Sequence, residues 1–301
     1  MMKAHTDAPH PPALPLYAIF LALIKFRLLA LVLVSTCMGF FVGADGGGGL
    51  WPLFVVLLGV TLVGGGANAL NQWKERGADA RMLRTRLRPL PALRISASQA
   101  LAFGVLISLA GLTVIALWVN RLTLLLAFAS WASYLFVYTP LKSRSVFNTW
   151  VGAVPGALPA LLGSTAVSGT IDSGGLALFA ILYVWQMPHF FAISWVHRED
   201  YLRGGFRMLS WNDASGKRTG GQILWHTLLL LPVSVGLWLS GDAGVLYLGV
   251  ALLAGLVFLL EALRFYQRPD RSGARRVFHY SVIYLPLLFL GLLLDKWLTG
   301  L

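Results

Sequence analysis

The sequence predicts an all-α fold, a polytopic membrane protein with nine transmembrane helices. Three observations predict it. Hydrophobic residues make up 57% of the chain and charged residues 12%, with mean hydropathy +0.72, far above what a water-soluble domain sustains. The apolar residues are gathered into runs long enough to cross about 30 Å of hydrocarbon as helix. The basic residues, finally, fall almost entirely on one side of those runs.

The runs lie near 22–43, 52–72, 98–118, 121–139, 148–168, 173–195, 221–240, 243–264 and 277–297. They are joined alternately by short glycine-rich or apolar turns, such as GADGGGGL and SGDAG, and by longer charged segments. One face is therefore featureless and the other functional. Of the 24 Lys and Arg, all but Arg121 and Lys296 lie in the N-terminal segment or in the loops after the second, fourth, sixth and eighth runs. The positive-inside rule places that face and the N-terminus in the cytoplasm, and an odd number of spans then places the C-terminus in the periplasm.

Residues 1–20 read as a flexible tail and 21–301 as one integral-membrane domain. The tail begins MMKAHTDAPHPPALP, with neither the pattern of a secretory signal nor the arginines of a transit peptide, so the bacterial inner membrane is the expected home. A net charge of +12 would suggest nucleic acid in a soluble chain, but topology accounts for these cations and no nucleic-acid partner is expected. The single cysteine, Cys37, excludes an intrachain disulfide or a cysteine-based metal site. The glycines at 46–49 and 64–66 lack the spacing of a phosphate loop; those at 64–66 sit inside a run, where small residues let helices approach closely. Trp51, Trp118, Trp150, Trp238 and Trp297 fall near run ends and fit an interfacial aromatic belt.

Topology does not require the acids on the basic face. In NALNQWKERGADARMLRTRLRPLP, residues 68–91, Asn71, Glu75 and Asp79 are spaced i, i+4, i+8. If the second helix continues past Trp73, they form a stripe on one face. Hard oxygen donors in small number suit Mg²⁺, which is held by one or two carboxylates with substrate phosphate oxygens completing its shell. A second acidic pair, Glu199 and Asp200 in HREDY, stands at the end of the sixth run. Arg84 and Arg88 are again four apart, and Lys142 closes the fourth run on the same side. Guanidinium forks match phosphate oxygens, so the combination points to a metal-bound diphosphate whose departure these charges assist.

These residues resemble the UbiA-type intramembrane prenyltransferases. NQWKERGADARMLRTRLRPLP, YTPLKSRSVFNTWVGAVPGALPALLG, WQMPHFFAISWVHREDYLRGGFRML and HYSVIYLPLLF are similar to the haem-farnesylating branch, in order from about residue 25 to 290. The resemblance implies a helical bundle around a central cavity open to the cytoplasm. It implies Mg²⁺-dependent transfer of a farnesyl group from farnesyl diphosphate to a vinyl carbon of haem b, water capturing the product cation, with a downstream haem-modifying membrane enzyme as a partner. It assigns Asn71, Glu75 and Asp79 to the first metal motif, Glu199 and Asp200 to the second, Arg84, Arg88 and Lys142 to the diphosphate, and His189 to a catalytic role. The second motif reads His197-Arg198-Glu199-Asp200-Tyr201, where many members carry D-x-x-x-D.

Tyr138, Arg144, Asn148 and His197 are candidates for the pocket mouth. His226 and His279, at run ends, are either interfacial or available to haem iron or a propionate. Two rival functions remain: prenylation of an aromatic or quinone precursor by the same machinery, and transport of anionic solutes. A transporter predicts acids near the bilayer midplane, and no run carries one deep inside.

Overall fold

The computed structural model describes residues 15–44 and 47–299, and nine helices among them are long and apolar enough to cross a membrane. Helix α1 (Leu16–Leu23) precedes α2 (Phe26–Gly43), α3 (Leu50–Arg81), α4 (Ala97–Trp118) and α5 (Arg121–Ala132). A wide π-helical turn (Ser133–Tyr138) leads into the single turn α6 (Thr139–Leu141). There follow α7 (Asn148–Ser168), α8 (Ser173–Val196), α9 (Arg198–Gly204), α10 (Lys217–Leu239), α11 (Val245–Gln267) and α12 (Arg271–Thr299). The tail expected through residue 20 is thus helical from Leu16; residues 1–14 lie outside the described part.

Helices α7 and α8 sit innermost, α7 against α2 and α5, α8 against α10 and α12, and α3 lies along α4. Close approach explains the small residues. A methyl group on Gly39 would overlap the Ala160 carbonyl, and one on Gly163 the Thr36 carbonyl, so only glycine lets α2 lie on α7. Gly66 likewise faces the Gly104 and Ser108 backbone on α4. Leucines such as Leu106, Leu253 and Leu290 point outward, as a helix surface facing lipid requires. Trp51, Trp118, Trp238 and Trp297 are exposed near helix ends and fit the belt, but Trp150 does not: its Nε1 donates to His226 Nε2 at 3.2 Å inside the protein.

Two departures from regular helix matter for the site. Between α1 and α2 the chain breaks at Lys25, whose φ of 52° is left-handed, a conformation that costs a residue with a Cβ about 1 kcal/mol. The break is held from α3: Asn68 Nδ2 donates to Ile24 O at 2.9 Å, and Gln72 Nε2 to Ala22 O and Leu23 O at 2.9 and 2.8 Å. Those side chains satisfy the orphan carbonyls at the end of α1. The second departure is caused by Pro140, which has no N–H to return to the preceding turn. The backbone widens there, and the Leu135 carbonyl is satisfied instead by Lys74 Nζ at 2.9 Å.

Candidate active site

Helix α3 runs 32 residues and carries the acid stripe beyond Trp73, as the spacing requires. Asn71, Glu75 and Asp79 are all buried, Asn71 and Asp79 completely. Buried carboxylates need partners, and each has a cation. Arg88 Nη1 reaches both Asp79 oxygens, at 2.9 and 2.8 Å, and Lys142 Nζ stands 2.8 Å from Glu75 Oε1.

Asn71 Oδ1 accepts from Lys25 Nζ at 2.8 Å, and Asn71 Nδ2 donates to Thr139 Oγ1 at 3.1 Å. A lysine can only donate and Thr139 spends its own proton on Tyr134 O, so the amide orientation is fixed with its oxygen toward Lys25. That oxygen keeps a second lone pair.

The result is one buried network of three cations, Lys25, Arg88 and Lys142, around two carboxylates and an amide. Burial opposes the charge on Lys142, but the Glu75 carboxylate outweighs it and holds that ammonium above the ordinary lysine value. Lys142 further lies over the rings of Tyr138 and Phe206, at 4.7 and 5.6 Å from their centroids. Tyr138, expected at the pocket mouth, is thus packed against Lys142.

The second acidic segment is used differently. Asp200 Oδ1 accepts from Leu83 N at 2.7 Å and Oδ2 from Arg84 N at 3.0 Å, with Arg203 Nη2 at 3.2 Å from Oδ1. Burial raises such a carboxylate, but the Arg84 and Leu83 amides outweigh it and hold Asp200 below the usual range. Its oxygens thus brace the loop carrying Arg88, whereas Glu199 is exposed. Among the described residues no three acids, histidines or cysteines converge on a metal position.

The paired arginines also separate. Arg88 enters the buried network, while Arg84 lines a cavity of about 420 Å³ with His197, Glu199, Asp200 and Arg271. His197 lines this cavity, and burial and the Arg84 charge lower its imidazole pKa. Arg144 is exposed and Asn148 donates from Nδ2 to Ser145 O and Arg207 O at 2.7 and 2.8 Å, and neither lines this cavity.

His189 stands apart from the acid stripe, between α8 and α12. Its Nδ1 is 2.7 Å from Ser281 Oγ, which donates to Phe278 O at 2.6 Å. Ser281 therefore receives the Nδ1 proton, leaving His189 Nε2 with a bare lone pair. His226, by contrast, is fully committed: Nδ1 donates to Gln222 O and Nε2 accepts from Trp150.

The participant that sequence reasoning missed is Lys25, read there only as an orienting charge. A signal was present, since it is a lysine inside LALIKFRLL, a run otherwise apolar on its N-terminal side. What the sequence withheld is the break that turns it onto Asn71.

The donor set fits a small hard cation: two carboxylates and an amide oxygen on one helix face, with guanidinium and ammonium groups placed for an anion bound alongside. The chain is also similar to known proteins. A family model described as the UbiA prenyltransferase family matches residues 32–292. A protein of Solibacter usitatus (strain Ellin6076) named Protoheme IX farnesyltransferase is 42% identical over 287 residues, covering 92% of this chain and 98% of its own length. One of Anaeromyxobacter sp. (strain Fw109-5) with the same name is 44% identical over 277 residues, covering 91% and 92%.

Among solved structures, digeranylgeranylglyceryl phosphate synthase superposes with TM-score 0.78 at 16% identity, covering 93% of this chain and 98% of that one. A UbiA homolog from Archaeoglobus fulgidus bound to GPP and Mg²⁺ does so with TM-score 0.66 at 15% identity, covering 91% and 99%. At such identities these structures speak to the fold. Together with the near-full-length relatives, they show that this multi-pass membrane chain belongs to the UbiA prenyltransferase family.

Proposed function

We propose that this enzyme transfers the farnesyl group of farnesyl diphosphate to a vinyl group of protohaem, with Mg²⁺ as cofactor. The observation that carries the chemistry is the buried meeting of Asn71, Glu75 and Asp79 with Lys25, Arg88 and Lys142. The acceptor is argued from the relatives named Protoheme IX farnesyltransferase. Asn71, Glu75 and Asp79 would hold the metal, which supplies charge neutralisation for the diphosphate.

Arg88 and Lys142, paired with the acids, are placed to turn onto diphosphate oxygens, and Lys25 completes the ring of cations. The allylic C–O bond breaks with its electron pair leaving on diphosphate. The vinyl group supplies electrons for the new C–C bond, and the cation left beside the macrocycle is captured by water. His189 Nε2 accepts the proton which that water loses. Asp200 holds the 82–88 loop so that Arg88 meets Asp79. The basic face is cytoplasmic, in a bacterial inner membrane.

Purified enzyme given Mg²⁺, farnesyl diphosphate and protohaem is expected to yield a more apolar haem by chromatography, and EDTA to stop it. Asp79→Asn is expected to lower turnover by about 10² or more without loss of folded protein. An unchanged haem beside a prenylated phenolic acceptor would overturn the acceptor assignment; near-normal Asp79→Asn turnover would overturn the metal assignment.

A further inference from the structure

Arg271, Arg275 and His279 are spaced i, i+4, i+8 along the basic end of α12, the same periodicity as the acid stripe on α3. Arg275 and His279, with Phe278, line a second cavity of about 360 Å³, whose opposite wall is Ile193, Val196 and His197 of α8 and its end. Arg271 lines the cavity that also holds Arg84. The two cavities share Val196 and His197, so they form one groove along the cytoplasmic end of α8 and α12.

The groove has an unusual balance of groups. Its inner half, between Ile193, Val196 and Phe278, is apolar and aromatic, and its outer half is charged, yet among the described residues neither Arg271 nor Arg275 has an acidic partner within 4.0 Å. Three nearby acids are otherwise engaged: Asp200 accepts from the Leu83 and Arg84 amides, Glu261 takes Arg264 and Arg276, and Asp270 accepts from Ser272 and Gly273, while Glu199 is exposed at the outer edge of the groove. His279 is exposed, and among the described residues no protein group hydrogen-bonds its imidazole. Flat apolar walls, cations lacking counter-ions and an available imidazole one helical turn further on suit a planar, metal-bearing dicarboxylate.

We infer that this α8/α12 groove is the acceptor site, taking protohaem with its carboxylates at Arg271 and Arg275 and its iron at His279. The inference rests on the protohaem reading above. Four residues of helix separate Arg275 from His279 by about 6 Å along the axis, so carboxylates held at Arg275 bring the centre of the macrocycle, not its edge, to the imidazole. The edge opposite the carboxylates bears the vinyl groups and is directed deeper into the membrane. At that depth His189 is bonded to Ser281, with its ring 5.2 Å from that of Phe278. The groove therefore presents the reacting edge to the histidine whose Nε2 is bare.

The test is a titration of the full chain in phosphatidylcholine nanodiscs with ferric protohaem, iron-free protoporphyrin and the dimethyl ester of protoporphyrin. Protohaem is expected to shift its Soret band to a histidine-ligated position, and His279→Ala to abolish that shift while iron-free protoporphyrin still binds. Arg275→Gln is expected to weaken protoporphyrin about tenfold but leave the ester, which the wild type already binds weakly, unchanged. Both side chains are exposed, so loss of folding does not confuse the result.

Equal affinities and spectra in all variants, the pattern of a porphyrin held by bilayer hydrophobicity alone, would overturn the site. If those variants also farnesylate protohaem normally, the groove fails and the function stands. If the wild type binds protohaem as described but transfers no farnesyl group to it, the function fails instead.

Discussion

Lys25 Nζ donates to Asn71 Oδ1 across 2.8 Å, joining a break in the first membrane segment to the middle of the third helix. Neither residue can shift alone, because Asn68 and Gln72, flanking Asn71 on α3, hold the carbonyls of Ala22, Leu23 and Ile24 just before the break. Lys25→Met would leave a buried amide oxygen without its donor and remove one of three cations facing the diphosphate. It is expected to raise KM for farnesyl diphosphate and lower kcat/KM by about 10², with Lys25→Arg recovering part. Steady-state kinetics check this; an unaltered KM in Lys25→Met would show that the lysine only shapes the break.

The pairing of Glu75 with Lys142 makes a separate prediction about stability. Removing one partner of a buried ion pair strands a charge, at a cost of about 3 kcal/mol, whereas removing both relieves much of it. Glu75→Gln and Lys142→Met are each expected to lower the thermal midpoint in detergent. The double variant should lie above the sum of the two effects, and strict additivity would dissolve the pair. All three are expected to lose turnover.

The same contrast explains what could be read in the sequence. The α3 stripe was legible because i, i+4, i+8 spacing is a property of the helix itself, and so were the nine spans, which composition sets. Lys25 was not legible as a site residue, because its direction comes from amide side chains more than 40 positions away that cap the end of α1. The two backbone amides that Asp200 accepts were not legible either, because an acid beside another acid carries no mark of its partner; only the folded loop delivers them. Arg84 and Arg88 share a helical spacing, but the segment after Met82 is a series of tight turns in which that spacing no longer implies a common face. Pro140 in YTPLK was a readable warning of the widened turn.

Asp200 as a brace, and Asp79 as a ligand, predict different Mg²⁺ responses. Asp200→Asn weakens the hold on Leu83 and Arg84, so trypsin is expected to cut sooner at Arg84 or Arg86 and turnover to fall, while the Mg²⁺ concentration for half-maximal rate stays close to wild type. Asp79→Asn should shift that concentration upward by about tenfold or more at unchanged trypsin resistance. A comparable Mg²⁺ shift in Asp200→Asn would return it to the metal shell.

His189 and Ser281 test the proton acceptor. Ser281 Oγ commits its own proton to Phe278 O and so takes the proton of His189 Nδ1, which keeps Nε2 basic and aimed. His189→Ala removes the base, and kcat is expected to fall by about 10² or more with KM for farnesyl diphosphate unmoved, since the histidine touches no part of the diphosphate network. Ser281→Ala leaves the ring but frees its tautomer and tilt, so the loss should be smaller, about tenfold. Without a group to take the proton, the cation is left to shed one from its own carbon skeleton. His189→Ala is therefore expected to release a dehydrated haem, lighter by one water in mass spectrometry, alongside the hydroxylated product. A variant with full kcat and only the hydroxylated haem would assign the proton to bulk water and leave His189 a helix-packing residue.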